Sequence, residues 1–243
     1  MGDQNLTDAF DRGAGRYDLL VSLNPGYHRH LRSAASLLAT RLRGLGRPAL
    51  IADLGCGSGA STAALLAELP SGADVVGIDA SAGMLARAAA KNWPRGVLFV
   101  QARAEEFPVV MADREEPVDG VLAAYLFRNV PAEHLDAALA GVVSTLRPGG
   151  WLVVQDYALG SRRLPRWVWH LVCWLVVIPL SVLVRSDPSL YRYLWRSVLR
   201  FDSADAFARR LAAAGLVDVA YRTVPGWQHG ILQTFVARRP DGA

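Results

Sequence analysis

Ile51-Ala52-Asp53-Leu54-Gly55-Cys56-Gly57-Ser58-Gly59 is the stretch on which the fold turns. An apolar run ends in a carboxylate, three glycines alternate after it, and an Ala/Leu-rich helical pattern opened by Ser61 and Thr62 follows. Glycines at a strand-to-helix turn let the backbone approach a ligand closely, and the N–H groups of a first helical turn favour a negative group. A nucleotide-like ligand is the expectation. Gly55-x-Gly57-x-x-Ala60 fits the loose dinucleotide pattern as well, so two ligand classes compete. Asp53 separates them, because a carboxylate there would repel a diphosphate but suits the ammonium of S-adenosylmethionine. Asp79, ending Val76-Gly77-Ile78-Asp79, is placed to take both ribose hydroxyls. On plainer grounds Asp53 is an exposed strand-end residue and Asp79 a helix cap. The combined spacing after an apolar strand favours the ligand.

Outward from this turn, strands are expected at Ala49 to Leu54, Val75 to Asp79, Val97 to Gln101, Val118 to Tyr125 and Trp151 to Asp156, with helical patterns between them. That alternation is the signature of a parallel sheet covered on both faces. Ser81 can cap a helix over Ala82 to Lys91, and Pro131 at a first helical position, with Glu133 behind it, starts one ending at Leu146. Arg147-Pro148-Gly149-Gly150 then turns the chain into the fifth strand. Ser203 opens a later helix that Gly215 closes. Val217 to Val224 and Ile231 to Arg238 form the last strands, and Pro225 to Gly230 between them is too short for a helical crossover, so they pair antiparallel. The expectation is one α/β domain over residues 1–243, with a helical cap over 1–45 and an insertion over 160–200 between strands five and six.

Composition agrees: of 243 residues 52% are apolar and 20% charged, enough for one large core and too apolar for a disordered chain. The net charge of +4 is spread along the sequence, so no nucleic-acid partner is expected. Cys56 and Cys173 are too few for a disulfide framework or a metal site, which points to a reducing compartment. The opening MGDQNLTDAF has acidic residues and no apolar run, unlike a secretory signal. Trp167 to Val184 carries no formal charge and lies between Arg162, Arg163, Arg166 and Arg185. It is long enough to tempt a transmembrane assignment, but one crossing would strand the last two β-strands on the wrong side of the membrane from their sheet. Pro179 is expected to break it into two shorter helices, a lid or a hairpin dipping into the membrane interface. Trp167, Trp169 and Trp174 suit an interfacial belt and the arginines anionic head groups, giving peripheral contact through 162–185 on the inner face of the membrane, with the rest cytoplasmic. A buried helix or a dimer interface are the plainer alternatives.

The glycine turn with Asp53, Gly55, Gly57 and Gly59 resembles motif I of class I S-adenosylmethionine-dependent methyltransferases, and the element order is similar to their Rossmann-like, seven-stranded, mostly parallel sheet with an antiparallel last strand. Many relatives carry Gly-Asp-Ala-Glu after strand three; this chain has Ala102-Arg103-Ala104-Glu105. Arg103 cannot accept from the adenine amine, so the base is left to backbone around Ala80, Ala102 and Ala104 or to stacking on the guanidinium. Phe10-Asp11, Tyr17-Asp18, SLNPGYHRH over 22–30, Leu126-Phe127-Arg128-Asn129-Val130 and Ser189 to Leu194 together resemble the ubiquinone/menaquinone biosynthesis C-methyltransferase family.

That resemblance implies methyl transfer to a ring carbon of a prenylated quinol or a related lipophilic aromatic acceptor, with Arg128 near the transferring methyl and taking a water-mediated part in proton removal, Asn129 orienting the ring oxygen or the water, and Tyr17 closing the cofactor pocket. Arg128 is too basic to take a proton and would instead stabilise a phenolate. His28, His30, His229 and Asp156 are the candidate bases; His28 and His30 both lie in the segment expected to fold over the cofactor, and His28 is placed with the catalytic set. Methylation on oxygen or nitrogen of a natural product or lipid, a nicotinamide-dependent oxidoreductase, and a non-catalytic lipid-binding protein on the same fold remain open at this level.

Overall fold

The computed structural model describes residues 24, 26–112, 114, 116–159, 163–183 and 188–242. Strands β1 (Leu50–Leu54), β2 (Asp74–Asp79), β3 (Val97–Gln101), β4 (Val118–Ala124), β5 (Leu146–Tyr157), β6 (Val217–Thr223) and β7 (Leu232–Arg238) form one sheet in the order β3-β2-β1-β4-β5-β7-β6. β1 to β5 pair in parallel, while β7 runs antiparallel to both β5 and β6. The expected α/β sheet is thus the one observed. From β1 the chain builds outward through β2 to β3 and then returns to β4 on the other side. The adjacent ends of β1 and β4 are therefore a topological switch point, where a crevice opens beyond the carboxyl ends of the strands.

All seven residues of β4 are buried, as a strand covered on both faces must be. On one face lie α1 (Tyr27–Arg41) and α2 (Ala60–Glu68). Leu31, Ala34, Ala35 and Leu38 recur at helical spacing along α1 and are buried. Gly120 of β4 lets this helix sit tight, since a Cβ there would meet Leu38 Cδ1 at 2.9 Å. On the other face α4 (Phe107–Ala112), α5 (Ala132–Thr145) and α8 (Ala204–Ala213) enclose Phe107, Phe127, Phe207 and Phe235, all fully buried. Each such ring contributes about 1.5–3 kcal/mol by leaving water.

Ser81 caps α3 (Ala82–Ala89), its Oγ accepting from Met84 N at 3.1 Å, and Ser203 caps α8 through Ala206 N at 3.2 Å. Three local expectations change. Ser61 and Thr62 do not cap α2, because Gly59 in the left-handed region begins it. Pro131 is the residue before α5, not its first. The segment Leu146 to Gly150 already belongs to β5, pairing with β4 through a register shift between Val118 and Gly120.

Between β5 and β6 stand α6 (Arg163–Leu183) and α7 (Pro188–Arg200). Pro179 does not split α6: Cys173–Val177 winds as a π-helical turn just ahead of it. A proline has no N–H for the carbonyl four residues back and its ring crowds that carbonyl, and a widened turn removes the conflict without ending the helix. The tryptophans also divide. Trp167 and Trp174 are exposed, whereas Trp169 is buried, its Nε1 donating to Trp195 O at 3.3 Å.

Candidate active site

The glycine turn closes onto the end of β2. Gly55 N and Cys56 N both donate to Ile78 O, at 2.7 and 3.0 Å, and Gly57 N donates to Asp79 Oδ2 at 2.8 Å. Gly57 has φ +53 and faces open space where a side chain would stand. Gly59 is needed for packing, since a Cβ would lie 2.7 Å from the Trp93 ring. A cavity of about 170 Å³ lies over this turn. Gly55, Gly57, Asp79, Ala80, Ala102, Arg103 and Ala104 line it, together with Met84, Leu126, Asn129 and Pro131.

Asp79 presents its carboxylate to this cavity while Oδ1 accepts from Ser81 N at 2.9 Å. Asp53 does not line it. Fully buried beneath the turn, Asp53 accepts from Ser61 Oγ at 2.8 Å and Thr62 Oγ1 at 2.6 Å, so it ties the first turn of α2 to the end of β1. The expected direct meeting of Asp53 with an ammonium is corrected accordingly. Burial raises its pKa to about 6 against the pull of the two hydroxyls.

A second cavity, of about 330 Å³, adjoins the first, and Tyr27 and Tyr125 line both. Its walls are Tyr157 of β5, Trp169, Val172, Cys173, Val176, Val177 and Leu180 of α6, Tyr191, Leu194, Trp195 and Val198 of α7, and Trp227. Arg128 also lines it, the one charged residue to do so among the described residues. Its Nη1 donates to Asp156 Oδ1 at 2.7 Å, and its guanidinium lies over the Tyr125 and Tyr157 rings at 5.6 and 5.2 Å. It enters the site as half of a buried ion pair.

Arg128 Nη1 and Asn129 Nδ2 also converge on one carbonyl, that of Tyr125, at 2.8 and 3.1 Å. Asn129 faces the first cavity and Arg128 the second. His28 points outward, its ring edge-on to Tyr27 at 5.2 Å, and lines neither cavity. His229 is exposed, and His30 is buried with its pKa lowered chiefly by desolvation; neither lines a cavity. Asp156 is committed to Arg128 and to Tyr157 N. None of the four expected bases therefore lines either cavity. Tyr17 lies outside the described residues, as do Arg162 and Arg185. The largest omission of the sequence reading is Tyr125, which only the meeting of the two cavities singles out.

Residues 51–150 match the family described as "Methyltransferase domain". The chain is 31% identical over 98% of its length to the demethylmenaquinone methyltransferase of Mycolicibacterium paratuberculosis, covering 95% of that protein. It is 32% identical to the ubiquinone/menaquinone biosynthesis C-methyltransferase UbiE of Syntrophotalea carbinolica, covering 92% of this chain and 90% of that one. The chain belongs to the UbiE family of class I methyltransferases. Its fold is shared more widely: the magnesium protoporphyrin IX methyltransferase of Synechocystis, solved with bound S-adenosylmethionine, superposes with a TM-score of 0.63 over 98% of both chains at 15% identity. This UbiE-family protein is an S-adenosylmethionine-dependent methyltransferase. Its first cavity fits that molecule chemically, offering a carboxylate at a strand end, an open glycine turn and the small residues Ala80, Ala102 and Ala104.

Proposed function

We propose that this methyltransferase moves the methyl group of S-adenosylmethionine to a ring carbon of a prenylated quinol. The observation that carries the acceptor is the second cavity: aromatic and aliphatic walls, one neutralised charge, and direct continuity with the cofactor cavity through Tyr27 and Tyr125. A hydroxylated aromatic ring with an apolar tail matches such walls, whereas a charged amine or a sugar would be stranded there without partners.

S-adenosylmethionine supplies an electrophilic methyl on its sulfonium. Asp79 would take the ribose hydroxyls, the glycine turn and the start of α2 would receive the amino-acid end, and Ala80, Ala102 and Ala104 with the Arg103 plane would hold the adenine. Asp53 acts from beneath as a positioning residue, its negative charge favouring the cationic ligand while Ser61 and Thr62 keep it in place. Tyr27 and Tyr125 set the ring against the transferring carbon, because in-line displacement needs the nucleophilic atom held at about 3–3.5 Å. Arg128 and Asn129 hold the Tyr125 backbone, and Asp156 keeps Arg128 in register. The phenol proton passes to water, since no base among the described residues lines the acceptor cavity.

The outer face of α6 supports peripheral membrane contact. Leu164, Trp167, Leu171, Leu175 and Val182 are all more than half exposed, a continuous apolar surface that water disfavours, and exposed Arg163 and Arg166 stand at its start. The inner face of the same helix lines the acceptor cavity, so a prenyl tail has an apolar path from bilayer to ring.

The test is incubation with methyl-labelled S-adenosylmethionine and, in parallel, a short-chain demethylmenaquinol in detergent and a bacterial membrane lipid extract. Label on a quinol ring carbon is the expected result. Label on oxygen or nitrogen, or on no quinol, overturns the proposal.

A further inference from the structure

We propose that Lys91, which lines neither cavity, sets the affinity for S-adenosylmethionine by holding the glycine turn from behind. It is a positioning residue for the cofactor, so the proposal goes beyond the acceptor assignment and does not depend on it.

Between Cys56 and the start of α2 two glycines adopt the left-handed region, Gly57 at φ +53° and Gly59 at φ +89°. Glycine crosses between the two signs of φ at little cost, so such a turn keeps one shape only where contacts hold it. The peptide that links Ser58 to Gly59 is held at both ends. Gly59 N donates to Cys56 O at 2.9 Å, and Ser58 O accepts from Lys91 Nζ at 2.6 Å. The first bond is local and travels with the turn, whereas the second anchors the turn to another part of the fold. Lys91 follows the end of α3, its backbone N–H donating to Ala88 O at 3.1 Å. Trp93 braces the same stretch: its ring occupies the space a Gly59 side chain would need, and its Nε1 donates to Ala88 O at 2.7 Å.

Ser58 lines the cofactor cavity, while Lys91 and Trp93 do not. With its oxygen committed to Lys91, the Ser58 carbonyl is kept from swinging toward the cofactor, where its partial negative charge would oppose the carboxylate that the first turn of α2 attracts. A turn fixed beforehand also loses less freedom when the ligand arrives, and that saving appears as affinity. The coupling runs both ways, so a bound cofactor must strengthen the Lys91 bond by the factor that the bond strengthens binding. Lys91 is exposed and is the only lysine in the chain, so an amine-directed reagent reads this one bond, the α-amino group apart.

Lys91→Met keeps the aliphatic stem and removes the donor. Calorimetric titration should show S-adenosylhomocysteine bound about 3- to 10-fold more weakly than by wild type, the span of one partly exposed hydrogen bond. The unliganded melting temperature should fall by no more than about 4 °C. Lys91→Arg, which restores a charged donor, should return the affinity to within about twofold of wild type. In wild type, acetylation of Lys91 by the N-hydroxysuccinimide ester of acetic acid, followed by peptide mass spectrometry, should slow by a factor similar to the affinity change once S-adenosylhomocysteine saturates the first cavity. The amine reacts only when out of its hydrogen bond, and a ligand in a cavity that Lys91 does not line gives it no direct cover. Wild-type affinity in Lys91→Met overturns the proposal, as does a loss that Lys91→Arg leaves unrepaired, or an acetylation rate indifferent to the ligand. Neither readout uses an acceptor, so failure of the quinol assignment would leave both standing.

Discussion

Asp53 is pulled in two directions, since burial favours its neutral form while the Ser61 and Thr62 hydroxyls favour the charged one, and burial prevails to leave a pKa of about 6. A carboxyl whose folded pKa exceeds its unfolded value binds the extra proton in the native state, so its contribution to stability is present at acid pH and lost as pH rises through the folded value. Acidifying from about pH 7 to about pH 4 should therefore return up to about 3 kcal/mol through this group, a gain absent from Asp53→Asn. Urea denaturation of both proteins across that range checks it; parallel profiles would refute the shift. Arg128 and Asp156 make a second case. Asp156→Asn leaves a buried guanidinium without its counter-charge and should cost about 3–5 kcal/mol, whereas Arg128→Leu with Asp156→Leu should recover most of that in a thermal melt without recovering turnover. The local motif made Gly55, Gly57 and Asp79 legible, because a strand followed by a glycine turn fixes its own geometry, while Ala102 to Ala104 came only from the resemblance to relatives after strand three. Depth was not legible. Asp53 lies beneath the turn because two hydroxyls of the next helix fold back on it, and Arg128 is neutralised by a residue on the neighbouring strand β5.

At the scale of elements, α6 presents two faces with different duties, and substitutions should separate them. Trp169 is buried against Trp195 and Tyr157 and lines the second cavity. Trp169→Ala should cost about 3–5 kcal/mol and raise the acceptor KM, with vesicle binding retained. Replacing Trp167, Leu171 and Leu175 together by Ser removes side chains that are more than half exposed, so the melting temperature should fall much less than in Trp169→Ala while co-sedimentation with liposomes is lost. Identical effects from the two sets would mean that the helix has no outward duty. The hairpin of β6 and β7 was legible because loop length alone forbids a crossover between them. The course of α6 was not, since a proline in a helical pattern signals a break unless the turn ahead of it widens, and sequence does not announce a π turn.

For the whole molecule, the strand order places both cavities at the carboxyl ends of β1 and β4, beside the α6–α7 insertion. The chain carries a net charge of +4, and Arg163 and Arg166 are exposed at the start of the apolar face of α6. An arginine near an anionic bilayer contributes about 1 kcal/mol, so the pair contributes about 2 kcal/mol beyond what apolar contact supplies. Binding to vesicles containing phosphatidylglycerol should therefore exceed binding to pure phosphatidylcholine by about 30-fold at low salt, and the difference should shrink as salt rises and screens the charges. Arg163→Glu with Arg166→Glu should erase the preference without touching either cavity. Turnover then supplies the link to the site: long-tailed quinols presented in anionic vesicles should lose rate in this variant, while a short-chain quinol in detergent should not. Equal loss on both acceptors would mean that the arginines serve the fold and that the bilayer plays no part in delivering the substrate.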